Sequence, residues 1–253
     1  MGKIFTVANQ KGGVAKTTTA INLGACLATQ GKKVLVVDVD PQGNATSGLG
    51  ISKLSAGHCI YDCLINDVPI RSLVVSTQIE DLSVVPATIQ LAGAEVELVS
   101  EVSRETKLKK ALQEVKDEYD FIIIDCPPSL GLLTLNAMTA ADKILIPIQC
   151  EYYALEGLSQ LMNTVSLVKK HLNPQLEIEG VVLTMFDART NLSIQVVDEV
   201  KAYFKDKVFH SIIPRNVRLS EAPSYGLPIN LYDPKSKGAE QYLELAKEVI
   251  ARE

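Results

Sequence analysis

Six short stretches, at residues 4–8, 34–37, 82–85, 121–124, 144–148 and 180–184, are rich in valine, isoleucine and leucine with almost no polar alternation. A strand can be apolar at successive positions only if both of its faces are covered, and that condition is met in a parallel sheet sandwiched between helices. Between these runs, residues 17–30, 89–99, 107–116, 155–170 and 194–204 place apolar side chains near helical spacing. The expected fold is therefore α/β: a doubly wound, mostly parallel sheet with helices on both faces. Its 253 residues fit one domain, 1–253, since α/β folds often reach this length undivided, and no long linker, internal repeat or low-complexity segment interrupts them.

The final predicted helix, 238–252, sets Tyr242, Leu243, Leu245, Val249 and Ile250 against Glu240, Glu244, Glu248 and Glu253. An acidic face is repelled by anionic lipid, so this helix is expected to pack on the core, and no stable membrane binding is expected. The formal net charge of −5 argues against a chain coated in basic side chains but leaves room for a local basic patch. Five cysteines, an odd number without a CxxC pair, point to reduced thiols and a cytoplasmic protein. Together with His58, His171 and His210 they show no metal-ligand spacing.

After the first predicted strand the chain reads Asn9, Gln10, Lys11, Gly12, Gly13, Val14, Ala15, Lys16, Thr17, Thr18, and a helix follows. Two glycines let backbone amides turn inward around phosphate oxygens, the helix start adds partial positive charge, and Lys16 supplies a cation. Thr17 offers a hydroxyl to magnesium. The general phosphate-loop pattern GxxxxGK[ST] is missed twice, at Gln10 and at Ala15. If the backbone needs a positive φ at Ala15, its methyl group costs on the order of 1 kcal/mol.

The loop instead resembles the deviant Walker A form KGGxxKT, whose extra leading lysine is here Lys11 and which marks the ParA and MinD group of P-loop ATPases. Three more segments carry the resemblance in order. VVDVDPQGNATSGLG, 36–50, is similar to the group's first switch, with Asp40 just past a strand end; YDFIIIDCPPSLG, 119–131, is similar to its Walker B strand and second switch; IIPRNVRLSEAP, 212–223, is similar to the segment bordering adenine. GAEVELV, 93–99, and CEYYALEGL, 150–158, narrow the resemblance to the chromosomal ParA subgroup called Soj.

The resemblance implies ATP and Mg2+ as ligands, with residues 11–18 (Lys11, Gly12, Gly13, Val14, Ala15, Lys16, Thr17, Thr18) around the phosphates and Pro214 and Asn216 at the base. It implies catalytic roles for Lys11, Lys16 and Asp40, with Asp40 orienting the attacking water, and metal roles for Thr17 and, through a water molecule, Asp125. Lys11 would reach across an ATP-dependent homodimer, and Gly12 would lie at its interface. The implied function is an ATP-hydrolysing switch for chromosome or plasmid partitioning, slow without its partner. Its ATP-bound dimer would bind double-stranded DNA non-specifically on the nucleoid and be released when a ParB-like activator stimulates hydrolysis. Arg189 and Arg218 match arginines that serve DNA binding, while Lys201, Lys205 and Lys207 either broaden that patch or form an ordinary solvated face. Other readings stay open: a MinD-like division-site ATPase, a reductase of the nitrogenase iron-protein type, whose glycine-flanked cysteine segments this chain lacks, and a nucleotide-gated regulator that contacts a replication initiator or the transcription machinery.

Overall fold

The computed structural model describes residues 2–53, 57–152 and 157–253. Seven strands, β1 (Lys3–Val7), β2 (Val34–Asp38), β3 (Val75–Ser76), β4 (Leu82–Val85), β5 (Phe121–Asp125), β6 (Lys143–Gln149) and β7 (Glu177–Thr184), form one sheet in the order β3-β4-β2-β5-β1-β6-β7. All pairings are parallel except that of β3 with β4. The helices are α1 (Lys16–Thr29), α2 (Asn44–Gly48), α3 (Ile60–Ile65), α4 (Leu91–Glu97), α5 (Lys107–Gln113), α6 (Leu132–Ala140), α7 (Leu158–His171), α8 (Asn191–Phe204), α9 (Val217–Glu221), α10 (Ile229–Tyr232) and α11 (Lys237–Arg252).

The continuous apolar runs are accounted for by two cores, one on each face of the sheet. In β5, Ile122 and Ile124 enter one core while Phe121 and Ile123 enter the other, and in β2 Leu35 and Val37 face away from Val34 and Val36. Side chains still alternate with period two, but both faces are dry, so the alternation leaves no polar trace in the sequence. Each large aliphatic side chain fully buried on the central strands contributes roughly 1.5–3 kcal/mol to the fold. Helices α1 and α11 cover one face, and α11 lays Tyr242, Leu245, Ala246 and Val249 into the core it shares with α1. The acidic final helix therefore packs on the protein itself.

Departures from the expected elements have identifiable causes. Helix α6 has residues buried nearly all round, including Thr134, Asn136 and Thr139, so it carries no apolar stripe by which to recognise it. The two-residue strand β3 and the short helices α2, α3, α9 and α10 are below the length at which periodicity is legible. Helix α4 ends at Glu97, and residues 98–100 form a single tighter turn. The predicted start of the 155–170 helix and positions 153–156 of the 150–158 segment lie outside the described residues; α7 is described from Leu158.

Candidate active site

Strand β1 delivers the chain to the C-terminal edge of the sheet, and residues 8–15 turn back into α1. The side chain of Asn9 pins the start of this loop: its Nδ2 donates to the Pro147 carbonyl (2.7 Å), and its Oδ1 accepts from the Lys11 amide (3.0 Å). The end is pinned by the Thr184 hydroxyl, which donates to the Val14 carbonyl (3.1 Å). Gly13 and Ala15 both take left-handed backbone conformations, with φ of 73° and 68°. Ala15 is the N-cap of α1 and caps no amide with its side chain, so the first-turn N–H groups of a 14-residue helix are open to an anion. The strain expected for a methyl group at this position is thus present.

Lys16, on the first turn of α1, is buried and donates from Nζ to the Lys11 carbonyl (3.0 Å). Burial lowers its pKa, opposed by Asp125, Cys126 and Asp40. Asp125 ends β5 and is the register partner of Asp38, which ends β2. Both Asp125 carboxylate oxygens are buried, with the Thr17 hydroxyl as the side-chain donor beside them. Burial holds the Asp125 pKa well above the usual carboxylate range, reinforced by the charge of Asp38 and eased by the Thr17 hydroxyl and Lys16. Asp38 is also fully buried, and burial pushes it up to about 6 despite hydrogen bonds from the Thr46 amide (2.8 Å), the Thr46 hydroxyl (2.7 Å) and the Asp40 amide (3.1 Å). Asp40 accepts from the Gln42 amide (2.9 Å), which closes a tight turn and fixes its carboxylate.

A cavity of about 350 Å³ is lined by Gly12, Gly13, Ala15, Lys16, Thr17, Thr18 and Asp40, together with Gln42, Asn44, Pro128 and Met185. A second cavity, of about 460 Å³, shares Ala15, Thr18 and Met185 with it and is bounded by Pro214, Asn216 and Val217. Six of the residues read as phosphate-side, Gly12, Gly13, Ala15, Lys16, Thr17 and Thr18, thus lie on a cavity that adjoins the base-side pair, whereas Val14 is buried in the core and Lys11 lines a different cavity. Asn216 is held on the base-side cavity by capping α9, its Oδ1 accepting from the Arg218 amide (2.8 Å). Gly12 is open: a Cβ built on it would find Pro128 at 3.8 Å as its nearest neighbour.

Arg189 and Arg218 lie outside this cleft, both exposed and both in ion pairs. Arg189 forms a two-pronged contact with Asp187 (2.8 and 2.7 Å), and Arg218 pairs with Glu221 (2.9 Å). Asp187 in turn lines a third cavity, of about 440 Å³, with Lys11 and Arg215. Sequence reasoning missed Asp38, Gln42, Asn44 and Met185. The doublet of aspartates in VVDVD was a visible signal for Asp38, but its pairing with Asp125 depends on which strands lie side by side.

An AAA domain family model matches residues 2–178. The sporulation initiation inhibitor protein Soj of Bacillus subtilis (strain 168) is 68% identical over 251 residues, covering 99% of each chain. The chain belongs to the ParA/Soj family of ATPases. The chromosome partitioning protein ParA of Myxococcus xanthus (strain DK1622) is 60% identical over 253 residues, all of this chain and 89% of that protein. Among solved structures, cobyrinic acid a,c-diamide synthase from Mycobacterium smegmatis with bound ATP analogue and magnesium superimposes with a TM-score of 0.89 at 40% identity, covering 99% of this chain and 94% of that one.

The site of this ParA/Soj-type chain fits a nucleotide with a divalent cation. Two buried carboxylate oxygens with only the Thr17 hydroxyl beside them suit a hydrated cation, whose water ligands donate hydrogen bonds. The left-handed loop and the uncapped start of α1 suit phosphate oxygens.

Proposed function

We propose that this chain is an ATP-hydrolysing nucleotide switch for chromosome partitioning, whose ATP-bound dimer binds DNA non-specifically and is released when a ParB-like partner accelerates hydrolysis. The observation that carries the reading is that Lys16, Thr17 and Asp40 line the cleft of the phosphate loop and that the buried Asp125 lies behind them, within reach of the Thr17 hydroxyl. Magnesium, when bound, neutralises charge on the β and γ phosphates. Thr17 would ligate it directly and Asp125 through a water molecule, while Lys16 adds a fixed positive charge and Asp40 orients the attacking water. With so little covalent chemistry to perform, the rate depends on how well Asp40 and the loop are positioned, which is what a partner can improve. Lys11 acts across the dimer, at an interface that requires Gly12 to stay bare.

Membership of a family with chromosome-partitioning relatives supports the DNA-binding half of the proposal, with Arg189 and Arg218 as phosphate contacts on the exposed edge. The proposed location is the cytoplasm, on the nucleoid when ATP is bound; no helix among the described residues is long and apolar enough to cross a membrane. The apolar face of α11 is occupied by α1, which leaves a MinD-like membrane role without an anchor in that helix. A nucleotide-gated regulatory output is a compatible second reading, favoured by the sporulation-initiation-inhibitor name of the Bacillus subtilis relative.

The test is duplex-DNA binding with ATP, ADP or no nucleotide, at low and moderate salt, for wild type, Asp40→Ala and Arg189→Glu. The expected result is binding that requires ATP, persists in Asp40→Ala, fails in Arg189→Glu and weakens steeply with salt. Indifference to DNA in every nucleotide state would overturn the proposal.

A further inference from the structure

The turn that carries Asp40 is held from three sides. From within, the Gly43 amide donates to the Asp40 carbonyl (2.8 Å) and the Gln42 amide to the Asp40 carboxylate (2.9 Å). Asp40, Pro41 and Gly43 stand at the first, second and fourth positions, where a tight turn favours those residue types. From behind, the buried Asp38 carboxylate accepts from the Asp40 amide (3.1 Å) and from the Thr46 hydroxyl (2.7 Å), which itself accepts from the Ala87 amide (2.9 Å). The third side is Lys53, whose Nζ donates to the Gln42 carbonyl (2.8 Å). Its stem lies against Gly43. A Cβ built on that glycine would meet Lys53 Cδ at 2.7 Å and the Ala87 carbonyl oxygen at 2.7 Å, so Gly43, at φ 61°, is enclosed between the lysine and the main chain.

This contact fixes a single peptide group. The unit joining Gln42 to Gly43 presents its N–H to the Asp40 carbonyl and its C=O to Lys53, so its orientation is set at both ends. The bond from Lys53 is charge-assisted and stronger than one between neutral groups. Rotation of this peptide would break the Gly43 hydrogen bond that closes the turn, and the amide that steadies the Asp40 carboxylate is the next one back along the chain. Gln42 and Asn44 line the phosphate-side cavity together with Asp40, whereas Lys53 lines neither that cavity nor the base-side one. Its side chain is exposed, yet an ordinary surface lysine leaves its head in water, and here both stem and head engage the turn.

We propose that Lys53 is a positioning residue for ATP hydrolysis: from outside the cleft it clamps the Gln42–Gly43 peptide and so fixes the Asp40 carboxylate where it orients the attacking water. The inference rests on the role given to Asp40 in the proposed function. A clamp of this kind acts on the rate and leaves nucleotide affinity alone, because displacing a water-orienting carboxylate by a fraction of its own length slows the reaction without removing any contact to the nucleotide. Arginine carries donors that can reach the same carbonyl, and methionine keeps an apolar stem without a donor.

The test measures hydrolysis of radiolabelled ATP, which resolves slow turnover, for wild type, Lys53→Met, Lys53→Arg, Asp40→Ala and the double variant Asp40→Ala/Lys53→Met, each beside a thermal melt. In Lys53→Met the expected kcat is about fivefold lower, with KM for ATP within about twofold of wild type. The melting temperature stays that of wild type, and Lys53→Arg recovers most of the lost rate. In the Asp40→Ala background Lys53→Met has no further effect, because the carboxylate that it positions is gone. Wild-type kcat in Lys53→Met, beside a clear loss in Asp40→Ala, overturns the role of Lys53 and leaves that of Asp40 standing. A rise in KM matching the fall in kcat, or an equal Lys53→Met loss with and without Asp40, also overturns it, by showing that the lysine supports the site as a whole. Wild-type hydrolysis in Asp40→Ala removes the premise, and the reading of Asp40 and the clamp then fail together.

Discussion

At the scale of single residues, the phosphate loop holds its shape against a local backbone preference. Ala15 sits at φ 68°, where a β-carbon is strained, because Asn9 and Thr184 pin the two ends of the loop and the first turn of α1 begins on it. Replacing Ala15 by glycine removes that strain, and the expected gain is about 1 kcal/mol. The check is urea denaturation without nucleotide, in which the midpoint should rise with an unchanged slope; a lower midpoint would show that the methyl group contributes packing that outweighs the strain. Gly12 behaves differently. A β-carbon has room there within one chain, so Gly12→Val should melt like wild type yet remain monomeric with ATP by light scattering. A Gly12→Val dimer would remove the argument that Gly12 lies at a close interface.

At the scale of elements, α1 links the C-terminal helix to the phosphates. Its N-terminus forms the loop, while its body packs on α11, where the Tyr242 hydroxyl meets that of Thr19 at 3.2 Å and Leu245 is fully buried. Leu245→Ala should cost about 2–5 kcal/mol through the cavity it leaves. Because Tyr242 also lines the base-side cavity, the same variant should weaken ATP binding although Leu245 itself is not among the residues lining that cleft. Thermal melts and nucleotide titration by calorimetry would show both effects together. Stability lost with affinity unchanged would mean that α11 is only a cover for the sheet.

At the scale of the whole molecule, the two dry cores determine the response to alkaline pH. Burial pushes the Cys26, Cys63 and Cys150 thiols up to about 12 and raises the Tyr242 phenol as well. In the unfolded chain the thiols ionise near 8.5 and the phenol near 10, so the unfolded state releases these protons first. An acid whose folded pKa is raised favours the native state below the unfolded value and loses that contribution as pH rises toward the folded one. Stability should therefore fall from about pH 8.5 upward, as far as the thiol value of about 12. Urea midpoints at pH 7.5, 9 and 10 test this, and Cys26→Ala should flatten part of the decline. A flat profile to pH 10 would show that the thiols do not titrate with unfolding.

Much of this protein is determined by local sequence, because continuous apolar runs, helical spacing and the KGGxxKT loop are physical conditions that neighbouring residues meet together. The six longer strands and the order of strand, loop and helix around Lys16 and Thr17 belong to that class. Only the tertiary structure decided that Asp38 lies beside Asp125, since strand order is a long-range property that no local pattern encodes. Helix α6 is hidden for the opposite reason: it is enclosed nearly all round, and a helix with no wet face has no period to read. The engagement of Arg189 by Asp187 is likewise a product of packing. Sequence specifies which side chains are available, and the sheet, by bringing distant strand ends to one edge, decides which of them meet.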